Sequence, residues 1–224
     1  MIDQIKKWNE GHSGIPKNKS VSNYAQGCEA KFPRNAQVLD IGGGTGADSI
    51  YFLQRGHQVT LVDISDYALK VAKEKAEEIN HPLETLRVTL GKESLAVPSN
   101  SADVIYSRLA LHYFDKRTTV SIFSDLFDKL NLGGNAFVTV KSPDDEDEMN
   151  FLQKTAIEIE PGVFDDQGDT KSRFTNEQWE KILKDAGITQ FSVRKYLEDM
   201  TGKVDKVKSG NAKFSLMEIQ FSKV

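Results

Sequence analysis

The sequence predicts an α/β fold, a doubly wound and mainly parallel sheet of seven strands that ends in an antiparallel pair. Short apolar runs typical of buried strands alternate with helical periodicity over roughly residues 36–140, the order that produces a parallel sheet. Two further β-like runs, 191–197 and 214–221, follow near the end of the chain and predict the antiparallel pair. At 224 residues the chain suits one α/β domain.

The first strand and the turn after it form the most informative stretch. Val38, Leu39 and Ile41 indicate a buried strand, and four glycines follow within residues 42–46. A helix then begins near Asp48. Glycines permit a tight turn and the close approach of a ligand, and the helix behind them presents unpaired N–H groups. The pattern predicts a ligand-binding turn.

The later elements follow in a regular order. A second strand ends in Asp63, and Ser65 is positioned to cap the next helix, which ends at 80–82. The remaining predicted elements are strands at 86–90, 103–106 and 136–140, with a helix at 118–130 before the last of them.

The segments outside this alternation predict additions to the core. Residues 1–33 carry two short stretches with helical spacing, which predict a helical extension. The acidic run 144–148 predicts a helix start, and its apolar stripe reaches Ile159. Residues 163–174 lack periodicity and predict a loop over the ligand site. Thr175 with Gln178 predicts a capping box.

Net charge, apolar runs and the cysteine count argue against several classes of protein. The formal net charge is −4, whereas nucleic-acid-binding proteins usually carry a basic face; the lysine-rich stretch 203–213 is interpreted as a solvated hairpin loop. No apolar run is long enough for a membrane span, and the N-terminus lacks the apolar core of a signal peptide, so a cytoplasmic location is expected. One cysteine, Cys28, excludes an internal disulfide, and no metal-ligand spacing occurs, so no metal is predicted.

Two ligand classes fit the glycine turn. Gly42, Gly44 and Ala47 satisfy the dinucleotide pattern G-x-G-x-x-G/A, which predicts a pyrophosphate at the helix N-terminus. The spacing Asp40-x-Gly42-x-Gly44-x-Gly46 resembles instead the first motif of class I S-adenosylmethionine-dependent methyltransferases. An acid beside a pyrophosphate is electrostatically unfavourable, whereas S-adenosylmethionine carries an ammonium and a sulfonium. Asp40 therefore favours the methyltransferase interpretation.

This resemblance implies a Rossmann-like fold with S-adenosylmethionine as cofactor and S-adenosylhomocysteine as product. It implies that Asp40 faces the methionine ammonium, that Asp63 receives the ribose hydroxyls, and that Ile64 packs on the adenine. The acid that usually reaches the adenine amino group is missing near Gly91, so Glu93 or backbone groups take its place. The predicted cofactor-binding residues are Asp40, Gly42, Gly43, Gly44, Gly46, Asp63, Ile64, Lys92, Glu93, Ser94 and Ser107.

The resemblance places residues 107–114 beside the transferred methyl group. This stretch lacks the Asn/Asp-Pro-Pro-Tyr/Phe signature of many amino-group methyltransferases of nucleic acids and proteins. Arg108 and His112 are four residues apart and would share a face on a helical turn. The predicted catalytic residues are His112, Arg108 and Tyr24, with His112 either a general base or a hydrogen-bonded structural histidine.

The predicted function is methyl transfer from S-adenosylmethionine to a small-molecule acceptor by a monomer or homodimer that binds neither nucleic acid nor membrane. Residues 34–224 are expected to form the methyltransferase domain, with 1–33 as a lid that offers Trp8 and His12, and 142–174 as an acceptor-site insertion. Residues 56–65 and 196–202 resemble the tellurite-resistance and small-molecule branch. The alternatives are a non-catalytic S-adenosylmethionine-binding regulatory module and an NAD(P)-dependent oxidoreductase.

Overall fold

The computed structural model describes residues 3–14, 20–199 and 213–224. The helices of this part are α1 Gln4–Ser13, α2 Asn23–Glu29, α3 Ala47–Gln54, α4 Asp66–Glu78, α5 Lys116–Lys129, α6 Glu146–Thr155 and α7 Asn176–Asp185. Its strands are β1 Gln37–Ile41, β2 Gln58–Asp63, β3 Glu84–Arg87, β4 Ala102–Arg108, β5 Leu130–Lys141, β6 Ile157–Glu160, β7 Val163–Asp166, β8 Asp169–Ser172, β9 Phe191–Asp199 and β10 Lys213–Ser222.

Seven strands form the main sheet in the order β3-β2-β1-β4-β5-β10-β9. Strands β1 to β5 are parallel, and β10 runs antiparallel to both β5 and β9. The predicted doubly wound sheet with a C-terminal antiparallel pair is confirmed. The order reverses at β1, whose neighbours are β2 and β4, and ligands of open α/β sheets bind beyond the carboxyl ends of strands at such a point.

Both faces of the sheet are covered, because alternate residues of each strand point to opposite sides. Leu39 and Ile41 of β1 pack into the cluster that contains α5 and α7, with the buried Trp179 of α7 among its members. Val38 packs on the other face with residues of α2 and α3. Tyr24 of α2 belongs to this second cluster, so the N-terminal extension contributes to the core.

The segment between β5 and α7 differs from its prediction. The helical stripe expected to reach Ile159 ends at Thr155, and 157–160 form the strand β6. Residues 163–174, predicted as a loop, form β7 and β8, which complete a separate three-stranded antiparallel sheet. Gln167 and Gly168 connect β7 to β8 with φ of +57° and +91°, which is the backbone of a two-residue type I′ hairpin turn.

Smaller differences lie elsewhere. The fifth strand, predicted at 136–140, begins already at Leu130. Residues 131–134 lie at a register shift between β4 and β5. The lysine-rich loop falls largely on residues 200–212, outside the described part. In the part that is described, no helix is long and apolar enough to cross a bilayer. The cytoplasmic location and the oligomeric state stay predictions.

The predicted capping box at the start of α7 offers a test of local stability. Thr175 Oγ1 accepts the Gln178 N–H at 3.3 Å, and the Gln178 side chain accepts the Thr175 N–H at 2.8 Å. Thr175→Ala removes the first of these bonds and should lower the free energy of unfolding by about 1 kcal/mol. For a chain of this size that corresponds to a fall of roughly 2–4 °C in Tm. Lys181→Ala, in the exposed middle of the same helix, is the control and should change Tm little; equal shifts for both variants would contradict the assignment of the cap.

Candidate active site

A cavity of about 560 Å³ lies at the carboxyl edge of the parallel strands. The turn after β1, the end of β2, residues 88–92 and the segment after β4 form its walls. Helix α1 and the turn between β7 and β8 complete the lining on the remaining side. The cavity therefore lies at the sheet edge and beside the topological switch point where the sequence predicted a ligand.

The glycine turn has a backbone that other residues adopt poorly. Gly42, Gly44 and Gly46 have φ of +69°, +56° and +76°, in the left-handed region that favours glycine. A Cβ on Gly42 would stand 2.2 Å from the Cβ of Ala110, and one on Gly44 would stand 2.9 Å from the ring of His12. The turn is thus packed between the segment after β4 and helix α1.

Asp63 supports this turn from the end of β2. The Gly44 N–H donates to Oδ2 and the Ser65 N–H donates to Oδ1, both at 2.9 Å. A carboxylate has about four acceptor positions, so each oxygen keeps a lone pair for a further donor. The His12 Nε2 lies 3.9 Å from Oδ1. Asp63 therefore both fixes the glycine turn and presents acceptor capacity to the cavity.

Asp40 is buried beneath the turn, with 1 % of its surface exposed. The Ser49 hydroxyl donates to its Oδ2 at 2.5 Å. Burial raises the pKa of Asp40 to about 7, the Ser49 hydrogen bond opposes this rise, and the negative charges of Asp48 and Asp63 add to it. A cation placed beside this carboxyl would favour its ionised form.

Asp48 is held in the first turn of α3 by three hydrogen bonds. Its carboxylate accepts the Ser22 N–H at 2.7 Å, the Ser22 hydroxyl at 2.8 Å and the Tyr106 hydroxyl at 2.8 Å. An anion is favoured at a helix N-terminus, and here a side chain of the protein already supplies it. The position at which a dinucleotide would rest its pyrophosphate therefore carries a negative charge.

The far wall of the cavity lies beside β2 and β3. Ile64, Val88, Thr89, Leu90, Gly91 and Lys92 line it. Glu93 and Ser94, which the sequence predicted at the cofactor, instead line a separate shallow groove over α5. The Glu93 carboxylate accepts the Thr89 N–H at 2.6 Å, and that bond lowers the pKa of Glu93. Glu93 thus shapes the loop, while backbone and apolar groups face the cavity.

Helix α1 covers the cavity through contacts with three parts of the protein. Asn9 accepts the Ser65 hydroxyl at 2.7 Å, which joins α1 to the start of α4. Trp8 packs edge-on against Tyr113, with ring centroids 5.1 Å apart. At the other end, Gln4 donates to Asp169 at 3.2 Å, and Lys7 forms an ion pair with the same carboxylate.

The end of β4 carries a second ion pair. Arg108 lines the cavity, and its guanidinium donates to Glu198 of β9 with Nη2–Oε2 2.6 Å and Nε–Oε1 3.3 Å. Glu198 is 2 % exposed, so the pair is largely removed from solvent. Burial opposes the charge of Arg108, but the hydrogen bond and charge of Glu198 keep its pKa above the ordinary value.

Comparisons with known proteins agree with this geometry. Residues 38–134 match the family model described as a methyltransferase domain. A solved SAM-dependent methyltransferase from Methanosarcina mazei superposes with a TM-score of 0.68 at 19 % identity, over 86 % of this chain and 95 % of that one, which shows the fold. The predicted resemblance to class I S-adenosylmethionine-dependent methyltransferases is thereby confirmed for the fold and for residues 38–134. The cofactor of the superfamily, S-adenosylmethionine, is the one predicted from the sequence.

Two relatives show how far the sequence similarity of the chain extends. Trans-aconitate 2-methyltransferase from Deinococcus radiodurans is 30 % identical over 138 residues, which is 61 % of this chain and 50 % of that protein. The probable S-adenosyl-L-methionine-dependent methyltransferase TehB from Haemophilus influenzae is 26 % identical over 117 residues, 52 % of this chain and 40 % of that protein. The chain thus spans about half the length of these relatives.

Most of the predicted cofactor-binding residues line the cavity. They are Asp40, Gly42, Gly43, Gly44, Asp63, Ile64 and Lys92. Gly46 lies behind the turn, where a Cβ would stand 2.8 Å from the Cβ of Ala72. Ser107 is buried and donates its hydroxyl to the Ile41 carbonyl at 2.8 Å, so it joins β4 to β1.

Two predicted catalytic residues lie outside the cavity lining. Residues 109–115 are not helical, so Arg108 and His112 do not share a helical face as predicted. His112 is 2 % exposed, and its carbonyl accepts the Ser172 N–H. Tyr24 is buried in the core beneath Tyr106, and burial raises its pKa far above the ordinary value. Neither residue lines the cavity, and both side chains are buried among packed neighbours.

The cavity also contains residues that the sequence analysis did not assign. Asp48 and Tyr106 were interpreted only as parts of a helix and a strand. Asp169 lay in the predicted loop 163–174, although the glycine of Gln167-Gly168 is a turn signal. Among the described residues, no group of three or more potential ligands is arranged to hold a metal ion.

The burial of His112 predicts a specific pH dependence of stability. Burial, followed by the positive charges of Arg173, Lys141 and Lys171, holds the pKa of His112 well below its ordinary value. Below about pH 6.5 the unfolded chain therefore binds a proton at this residue that the native protein does not. The free energy of unfolding should fall with decreasing pH by up to about 1.4 kcal/mol per unit, an effect that His112→Gln should remove.

Denaturant titrations of parent and variant from pH 7.5 to pH 5 measure this effect as the difference between the two curves. His81→Gln, at an exposed position, is the matched control and should follow the parent. Curves for His112→Gln and parent that stay parallel through this range would show that the native imidazole takes up a proton normally.

Proposed function

We propose that the protein transfers a methyl group from S-adenosylmethionine to a small-molecule acceptor bound under helix α1. The observation that carries the proposal is a single cavity with two ends. One end holds the glycine turn with Asp40 and Asp63, and the other is covered by α1 and the β7–β8 turn. The trans-aconitate relative, which acts on a small molecule according to its name, supports the acceptor class.

The cofactor roles follow from charge and acceptor capacity. Asp63 offers its remaining lone pairs to the two ribose hydroxyls, and Ile64 and Leu90 offer apolar surface to the adenine. Asp40, with Asp48 and Asp63 nearby, creates a negative environment for the ammonium of the methionine end. The same three carboxylates disfavour the pyrophosphate of NAD(P), which supports the methyltransferase over the oxidoreductase alternative.

The chemistry needs little from the protein beyond alignment. The cofactor supplies a methyl group activated by its sulfonium, so the chain has to position the acceptor in line with the methyl-sulfur bond and exclude water. Helix α1, tied down through Asn9 and Asp169, performs the exclusion. Because His112 and Tyr24 are buried away from the cavity, the proposal assigns them no proton transfer. Tyr113, which lines the cavity, takes the place of Tyr24 among the candidates.

The extension 1–33 and the insertion 142–174 are proposed as the parts that recognise the acceptor. Each contributes one partner of the Lys7–Asp169 pair, and both line the cavity. A non-catalytic regulatory module would bind the cofactor at the same end of the cavity but would methylate no acceptor. A labelled-methyl screen over small thiols, amines and carboxylates, with bulk tRNA and protein as comparison acceptors, separates these functions. Transfer only to tRNA or protein, or to nothing, would contradict the proposal.

Cofactor binding should stabilise the native protein in a selective manner. S-adenosylhomocysteine at 100 times its Kd stabilises the fold by about 2.7 kcal/mol, which is a rise of roughly 5–10 °C in Tm, and NAD should give none.

Asp63→Asn should weaken S-adenosylhomocysteine binding about 10- to 150-fold, because charged hydrogen bonds to the ribose are lost. Asparagine keeps one acceptor for the glycine turn, and Asp66→Asn, at the exposed start of α4, is the control. Calorimetry in which Asp63→Asn binds like the parent would place ribose recognition elsewhere.

The raised pKa of Asp40 predicts that cofactor affinity depends on pH. With the pKa near 7, the carboxyl is mostly protonated at pH 6, and pairing with the ligand ammonium requires loss of that proton. The affinity for S-adenosylhomocysteine should therefore rise about tenfold from pH 6 to pH 8 and level off above. Asp40→Asn should bind more weakly and lose this dependence. Calorimetry at three pH values measures both effects, and a persistent slope in the variant would assign the proton to another group.

A further inference from the structure

One part of the cavity is called here the acceptor chamber. It is formed by Gln4, Lys7, Trp8, Arg108, Tyr113 and Asp169, all of which line the cavity. The sheet order places β2 and β3 on one side of β1 and β4 on the other, so Arg108, at the end of β4, lies across the switch point from the ends of β2 and β3. Its side chains come from α1, the end of β4, the segment after it and the β7–β8 turn.

Both cations of this chamber are already neutralised by carboxylates. Arg108 binds Glu198 through two hydrogen bonds in a fork geometry, which is the arrangement by which arginine recognises carboxylates. Lys7 is paired with Asp169, and its Nζ also lies 5.1 Å from the ring centroid of Trp8 and 5.8 Å from that of Tyr113. Among the described residues, the chamber therefore presents no cation without an acidic partner.

An anionic acceptor would meet two cations whose charges are already balanced by carboxylates. Taking Arg108 from Glu198 would leave a carboxylate that is 2 % exposed without its cation, which is strongly unfavourable. The neighbouring Asp48 also lines the cavity and adds a negative charge that repels anions. The aromatic rings of Trp8 and Tyr113 offer instead apolar surface.

On the basis of the proposed function, we infer that the methyl acceptor is an uncharged or cationic compound with an aromatic or apolar body, and that Glu198 and Asp169 exclude carboxylate and phosphate acceptors. Glu198 acts through Arg108 and is a specificity-determining residue, although it does not itself line the cavity. An amine fits the chamber because both cations there are already paired with carboxylates, so its positive charge meets no unbalanced positive charge.

The test compares benzylamine, benzamide and benzoate, which share one ring and differ in charge. Calorimetry measures their binding to the protein with and without saturating S-adenosylhomocysteine. The parent should bind benzylamine and benzamide at least about tenfold more tightly than benzoate. Glu198→Gln removes the negative charge that balances Arg108 at these two hydrogen bonds and should tighten benzoate binding by roughly 10- to 100-fold. Asp169→Asn, in the half-buried hairpin turn, frees Lys7 and should act in the same direction.

Glu218→Gln is the matched control. Glu218 is 3 % exposed on the adjacent strand β10 and is paired with Arg194, but it does not line the cavity. It should keep the preference of the parent. Melting curves check that each variant is folded, and Asp169→Asn keeps the test available if Glu198→Gln does not fold.

The outcomes separate this inference from the proposed function. Benzoate bound by the parent as tightly as benzylamine, no binding of any probe, or no gain of benzoate binding in either variant would overturn the inference. Failure to bind S-adenosylhomocysteine would overturn the proposed function. Charge selection that persists in such a protein would still support the assigned role of Glu198.

Discussion

Three carboxylates surround one glycine turn, and the architecture of the site depends on the hydrogen bonds that stabilise their negative charges. Asp63 accepts two backbone N–H groups, Asp40 accepts the Ser49 hydroxyl, and Asp48 accepts donors from Ser22 and Tyr106. These bonds connect the ends of β1 and β2 with the start of α3 and with the N-terminal extension. The same negative charge that costs stability without a ligand makes this edge of the sheet complementary to a cationic cofactor.

The helix that covers the cavity is likewise held largely by polar contacts. Helix α1 has no buried residue of its own, so its position depends on polar and aromatic contacts to Ser65, Tyr113 and Asp169. Contacts of this kind are weaker than a packed apolar face, and elements held in this way open more readily than a core. Under the proposed function, opening of this cover would admit the acceptor and its closure would exclude water during transfer.

Much of the fold follows from local sequence signals, and the exceptions have identifiable causes. The parallel strands were predictable because continuous apolar runs indicate strands buried on both faces. The hairpin of β7 and β8 was missed because its strands are four residues long and their side chains are of mixed polarity. Its turn nonetheless carries a signal at Gln167-Gly168. His112 was misplaced because a spacing of four residues has meaning only on a helix, and residues 109–115 do not form one.

The sequence by itself determined the fold class, the glycine turn and the acids at the ends of β1 and β2, because each depends on neighbours within a few residues. Only the tertiary structure decided which side chains meet across the sheet edge. Arg108 and Glu198 are 90 residues apart, Lys7 and Asp169 are 162 apart, and each pair forms only when distant strands and the cover come together. Burial, which raises the pKa of Asp40 and withdraws His112 from the cavity, is likewise a property of the packed protein and not of any local pattern.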